Sequence, residues 1–290
     1  MEHKFFYLLK PIIRLLLFVF YLFLWAIPVG FLTQLPLFKF QEGSLPSLFF
    51  SEISLTFMAI GALFMIFQTY PTRNFERVFV VKNNLLSGFL KGTGIGLALI
   101  LACTGLMFIN GNVDFFYTKF EVSSILSYLI FFIFVGISEE FVFRTFPLVV
   151  FAERYKIWVS IFLNGLLFGL IHISNPNFSV FAMINITLCG IVFALITLQK
   201  RNIWWSVGMH FGWNFCQGTL LGFKVSGIDA PGLMVSRPVG NATFSGGNFG
   251  IEGSVICTFI LVLYLVWLIR KQKVEPVEEV FVEFEIRREV

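Results

Sequence analysis

Charge is scarce in this chain. Of its 290 residues, 13% are Asp, Glu, Lys or Arg, while 57% are hydrophobic. A water-soluble domain could not cover its surface with so little charge, so that class is excluded. Cysteine is sparse too. Cys103, Cys189, Cys216 and Cys257 lie in apolar runs without disulfide-framework or metal-ligand spacing, and read as reduced packing residues. The basic residues form no patch, which excludes nucleic acid as a partner. There is no HExxH and no GxSxG motif, so the local signatures of zincins and serine hydrolases are missing. Internal repeats and low-complexity tracts are absent. A cleavable signal peptide is not expected. The first apolar run is too long for an h-region and lacks a small-residue cleavage site, so it reads as a retained span.

What the chain has is apolar length. Eight runs, at roughly 12–32, 48–69, 88–109, 123–150, 157–173, 178–198, 203–222 and 253–270, approach the ~20 residues a helix needs to cross a bilayer. The expected fold is all-α, a polytopic membrane helix bundle of about eight transmembrane helices. Its membrane domain covers 1–270, with a polar-motif core at 123–222. Basic residues test the count. With the N-terminus in the cytosol, 16 of the 21 Lys and Arg fall on cytosolic segments and 4 on outer ones, and Arg144 lies within a span. This bias follows the positive-inside rule and predicts a multi-pass protein of the cell membrane with both termini cytosolic. Trp158, Trp204, Trp205 and Trp267 lie near the cytosolic boundary, as an aromatic belt would.

Two segments lie outside the spans. The outer loop 223–252 is Gly-rich and suits a linker or a folded lid equally; it contains the sequon Asn241-Ala242-Thr243. The tail 271–290, with six acidic and four basic residues, reads as a solvated cytosolic tail, in which Val280 to Ile286 alternates weakly like a strand.

Against this background three polar sets stand out. Glu139, Glu140 and Arg144 sit in the fourth span, where a charge costs roughly 2.5–3.5 kcal/mol at the bilayer centre. Residues four apart on a helix are about 40° apart around its axis. Glu140 therefore shares a face with Arg144 and can be neutralised by it, leaving Glu139 for chemistry. In the fifth span, Asn164, Phe168 and His172 share a face, and Gly165 with Gly169 permits close helix approach. In the seventh, His210 and Asn214 share a face. The remaining histidine, His3, is terminal and reads as inert. Each set alone also suits interhelical hydrogen bonding. At about 1.5 Å per residue, Glu139, His172, His210 and Asn214 lie roughly 21, 24, 14 and 20 Å from the cytosolic turns, in one broad layer.

A cluster of this kind suits activation of water. Glu139 serves as general base, with His172 sharing the proton or orienting the water. His210 and Asn214 serve as donors to the oxyanion at an attacked carbonyl. Alternatively, Glu139, His172 and His210 hold a metal with water in an open position, a catalytic zinc pattern.

The ordered triple Glu139-Glu140-x-x-x-Arg144, Phe168-x-x-x-His172 and His210-x-x-x-Asn214 resembles the three motifs of the CAAX-protease and bacteriocin-processing family of intramembrane proteases, also called the Abi family. The resemblance covers about 123–222 with no motif residue missing, and the Gly-rich loop resembles that of bacterial members. Spans one to three resemble the family in hydropathy alone. The resemblance implies hydrolysis of a peptide bond in a membrane-associated peptide or protein substrate. Glu139 and His172 would be catalytic, His210 and Asn214 an oxyanion or ligand pair, and Glu140 and Arg144 a supporting pair. It implies either a divalent metal such as zinc or no cofactor, since the family has been described both ways. The competing readings are a non-catalytic scaffold or immunity protein on the same fold, and a proton-coupled transporter. A transporter would show paired inverted repeats or broken helices at matching positions, and none is found.

Overall fold

A computed structural model describes residues 2–119 and 122–277, with side chains described from residue 9. The weakly alternating stretch Val280 to Ile286 lies outside what is described, and of His3 only the backbone is described. The structure is a bundle of helices with one small sheet. The first three helices are α1 (Glu2–Leu32), α2 (Leu45–Thr69) and α3 (Leu85–Ile109), followed by strand β1 (Val113–Tyr117). The motif region contributes α4 (Val122–Arg144), α5 (Phe146–Arg154), α6 (Ile157–Ile171), α7 (Val180–Lys200) and α8 (Trp204–Asn214), which runs on as a π turn (Phe215–Leu220). Strand β2 (Met234–Pro238), the one-turn α9 (Ala242–Ser245) and α10 (Val255–Lys271) complete the chain.

Five stretches are long and apolar enough to cross a membrane: Leu9–Leu32, Leu45–Thr69, Leu85–Ile109, Val122–Arg154 and Val180–Lys200. The other three expected runs are helical but shorter, as α6, as α8 with its π turn, and as α10. Apolar side chains such as Phe23, Phe31 and Phe64 face outward, which suits a lipid solvent. The protein is a polytopic membrane bundle. The four cysteines are free and buried.

Glycine decides how closely the helices approach. Gly88, Gly92 and Gly96 on α3 face the backbone or ring of Trp205, Met209 and Trp213 on α8. In return, Gly208 and Gly212 on α8 lie against the backbone of Phe89 and Thr93. A Cβ at Gly212 would sit 2.9 Å from the Thr93 Cα, so only hydrogen fits there. The expected pair Gly165 and Gly169 meets α7 at Thr187 and Ile191. The helix that bears Glu139 ends at Arg144. Thr145 leaves helical geometry, its hydroxyl donating to the Phe141 carbonyl at 2.5 Å, and Pro147 sits in the first turn of α5. Proline lacks the N–H that an interior position needs, so the break falls just before it.

The Gly-rich loop 223–252 is folded. β2 pairs antiparallel with β1, from Val113 opposite Pro238 to Tyr117 opposite Met234. Gly250, at φ 103°, lies where a Cβ would strike the Lys224 carbonyl. Asn241 of the sequon accepts from the Thr243 amide at 2.8 Å and so caps α9. The first residues of the tail bond back to the bundle. Gln272 donates to the Gln199 carbonyl at 2.7 Å, and Arg201 donates to the carbonyls of Glu275 and Pro276 at 3.0 and 2.5 Å. Residues 272–277 are therefore tied to the end of α7 while Lys273, Glu275 and Pro276 stay exposed.

Candidate active site

The break after Arg144 leaves Glu139 and Glu140 in the last turns of α4, well inside the bundle. They point in different directions. The Glu140 side chain is fully buried and pairs with Arg144, Nε to Oε2, at 3.1 Å. Its other oxygen, Oε1, lies 3.2 Å from His210 Nδ1. Arg144 also donates to Asn164 Oδ1 at 3.2 Å and lies 4.5 Å above the Phe168 ring. Asn164 in turn donates to the Phe143 carbonyl at 2.8 Å. A buried charge is tolerated where it is paired and hydrogen-bonded, and this network does both.

Glu139 keeps partial exposure, 18% for its side chain, and faces His172 instead. His172 is the residue at which α6 stops. Its Nδ1 lies 2.8 Å from the Phe168 carbonyl, an oxygen that can accept but not donate, so Nδ1 carries the hydrogen. In the neutral ring Nε2 is then an acceptor. It stands 3.8 Å from Glu139 Oε2, which is also an acceptor. Two acceptors at this separation suit one water donating a hydrogen to each.

His210 stacks on Phe193, with ring centroids 5.2 Å apart, and is fixed at Nδ1 by Glu140. Asn214 follows one turn later at the end of α8. Glu139, His172, His210 and Asn214 all line one cavity of about 260 Å³. The sequence expectation did not include one relation: Glu140, paired with Arg144, also bonds to His210 and so bridges the two.

Two carboxylates of this region were not singled out in the sequence. Glu52, on α2, lines the cavity and accepts from Ser138 Oγ at 2.5 Å. Its signal was legible, since a lone carboxylate in an apolar helix carries the same energetic cost as Glu139. Glu252 lies just before α10 and is buried. Burial pushes its carboxyl above the usual range, opposed by donors from Gln217, Ser226 and Trp213. A glutamate in a Gly-rich loop carries no such signal.

Among the described residues, no group of three or more His, Cys, Asp or Glu is placed to hold a metal ion. As placed, Glu139, His172 and His210 form no such group, and no step is routed through a metal.

Comparison with known proteins adds one finding. No curated protein and no solved structure matches the chain. A family model does match, at residues 121–216, about a third of the length and the part that carries α4, α6, α7 and α8. All three polar sets fall inside it. Over residues 121–216 the chain matches the type II CAAX prenyl endopeptidase Rce1-like family, which agrees with the resemblance drawn from Glu139 to Arg144, Phe168 to His172 and His210 to Asn214.

Proposed function

We propose that this protein is an intramembrane endopeptidase that hydrolyses a peptide bond of a membrane-associated substrate, with Glu139 as general base. The observation that carries this reading is the convergence of Glu139, His172, His210 and Asn214, from three helices, on one cavity inside the bundle. A water held between Glu139 Oε2 and His172 Nε2 gives a proton to Glu139 as its oxygen adds to the scissile carbonyl carbon. The carbonyl oxygen takes up negative charge, and His210 and Asn214 donate to it. His210 can donate from Nε2 while Nδ1 faces Glu140 when the ring carries both protons, with Glu140 as its counter-charge. The C–N bond then breaks, and the proton on Glu139 passes to the leaving nitrogen. Base, oxyanion and leaving group are all served by side chains of this chain.

Much of the remaining cavity wall is apolar, with Leu48, Tyr128, Phe131, Phe132 and Val135 beside the carboxylate of Glu52. That surface suits an alkyl or isoprenoid chain. Together with the family match, it makes a prenylated C-terminal Cys-aliphatic-aliphatic-X tail the substrate to test first.

The purified protein in lipid nanodiscs is expected to cleave a farnesylated peptide of that form, and Glu139→Ala to lower kcat by about 10²–10⁴-fold. A Glu139→Ala protein that cleaves at the wild-type rate would overturn the assignment. Comparison of membrane-protein termini in cells with and without Glu139→Ala would identify the natural substrate and the cleaved bond.

A further inference from the structure

One wall of the cavity comes from neither α4, α6 nor α8. Val225, Ser226, Ile228, Asp229 and Ala230 of the folded outer loop reach into it. Val225 and Ala230 pack with the α4 aromatics Tyr128, Phe131 and Phe132. The segment is a tight strap. Val225 and Ile228 bond to each other through their backbones, each at 2.9 Å, across the left-handed residues Ser226 and Gly227.

The strap is held from three sides, and its turn carries the bonds. The Ser226 carbonyl accepts from Asn175 Nδ2 at 3.0 Å, just past His172. The Lys224 carbonyl accepts from Gln217 Nε2 at 2.7 Å. The Ser226 amide donates to Glu252 Oε2 at 2.8 Å. Glu252 gathers the rest. Its carboxylate also accepts from Gln217 Nε2 at 3.0 Å and from Trp213 Nε1 at 3.2 Å, while its backbone carbonyl accepts from Asn185 Nδ2 at 2.7 Å. Trp213 stands between His210 and Asn214 in sequence. Glu252 thus joins the strap through its carboxylate to the helix that bears the oxyanion pair, and through its backbone carbonyl to α7. A carboxylate can accept from several donors at once, and charge-assisted bonds are stronger than neutral ones.

We propose that Val225–Ala230 is a substrate-contacting strap and that Glu252 is the positioning residue that locks it over the cavity, setting substrate affinity in the reaction proposed above. Substrate binding then depends on a wall that lies outside the family-matched segment. The inference rests on the endopeptidase reading for its kinetic arm and on geometry alone for its exchange arm.

The test uses the full chain in nanodiscs and the farnesylated peptide as probe. Glu252→Gln keeps the volume but replaces an acceptor by an amide donor that faces the Ser226 and Gln217 donors. Hydrogen exchange at the strap amides is expected to rise about tenfold or more, a loss of about 1.4 kcal/mol of local protection, while α6 and α7 keep theirs. In the same variant KM rises about tenfold and kcat stays within about twofold. Glu252→Asp, which keeps the charge, recovers part of both. Ile228→Ala, at a partly exposed strap position, raises KM without changing exchange elsewhere, and it tests the strap even if Glu252→Gln fails to fold. Unchanged strap exchange in Glu252→Gln, or a fall in kcat at constant KM, would overturn the lock. Unchanged KM in Ile228→Ala would overturn substrate contact. A wild-type protein that cleaves no such peptide defeats the endopeptidase reading with this probe, while the exchange arm still decides the lock.

Discussion

Two neighbouring glutamates carry different burdens because one residue of helix turns them by about 100°. Glu140 looks inward, to Arg144 and His210, and its side chain has no exposed surface. Glu139 looks into the cavity toward His172. The two therefore separate by experiment. Glu139→Ala removes the base from a partly open position and should leave thermal stability close to wild type. Glu140→Gln leaves Arg144 buried without its counter-charge, and breaking a buried pair in this way costs about 3–5 kcal/mol. A lowered unfolding temperature of Glu140→Gln in detergent, beside an unshifted one for Glu139→Ala, is the expected contrast. The split between the two residues was legible in the sequence, since helical spacing alone pairs Glu140 with Arg144. The bond from Glu140 to His210 was not, because it joins residues 70 positions apart and depends on how α4 and α8 cross.

At the scale of elements, α8 is placed by contact of backbone with backbone. Gly208 and Gly212 let it lie against α3, and Gly92 and Gly96 answer from the other side. His210 and Asn214 lie among these glycines, so the position of the proposed oxyanion pair depends on them. Gly212→Val would drive side-chain carbons into the Thr93 backbone. Overpacking of a close interface costs about 1–3 kcal/mol or more. We expect reduced thermal stability together with reduced cleavage, whereas Gly94→Val, at a position where a Cβ meets open space, should change neither. A sequence reading finds Gly165 and Gly169 by their spacing, but the α3 and α8 glycines show their purpose only once the two helices are seen side by side. The strand pair has the same character. β1 and β2 lie more than a hundred residues apart, and neither has a local partner to announce it.

Across the whole molecule, the charge bias and the eight helical runs bear on one topology. An even number of crossings returns both termini to one face of the membrane. We expect reporters fused at either end to report the same side, together with one inserted beside Lys156, while one in the loop at Asn248 reports the opposite side. Termini on opposite sides would contradict the eight-pass reading.

Hydropathy, charge bias and the ordered motifs determined the class, the number of helical runs and the four cavity-lining residues, because lipid demands long apolar helices and a charge in lipid is costly wherever it occurs. These are local properties, written in runs and spacings. The tertiary structure decided the rest: which histidine faces which glutamate, that the Gly-rich loop folds against the cavity, and that Glu252 bonds to it. Each of these is a contact between distant segments, set by the way helices cross and by the close approach glycine allows.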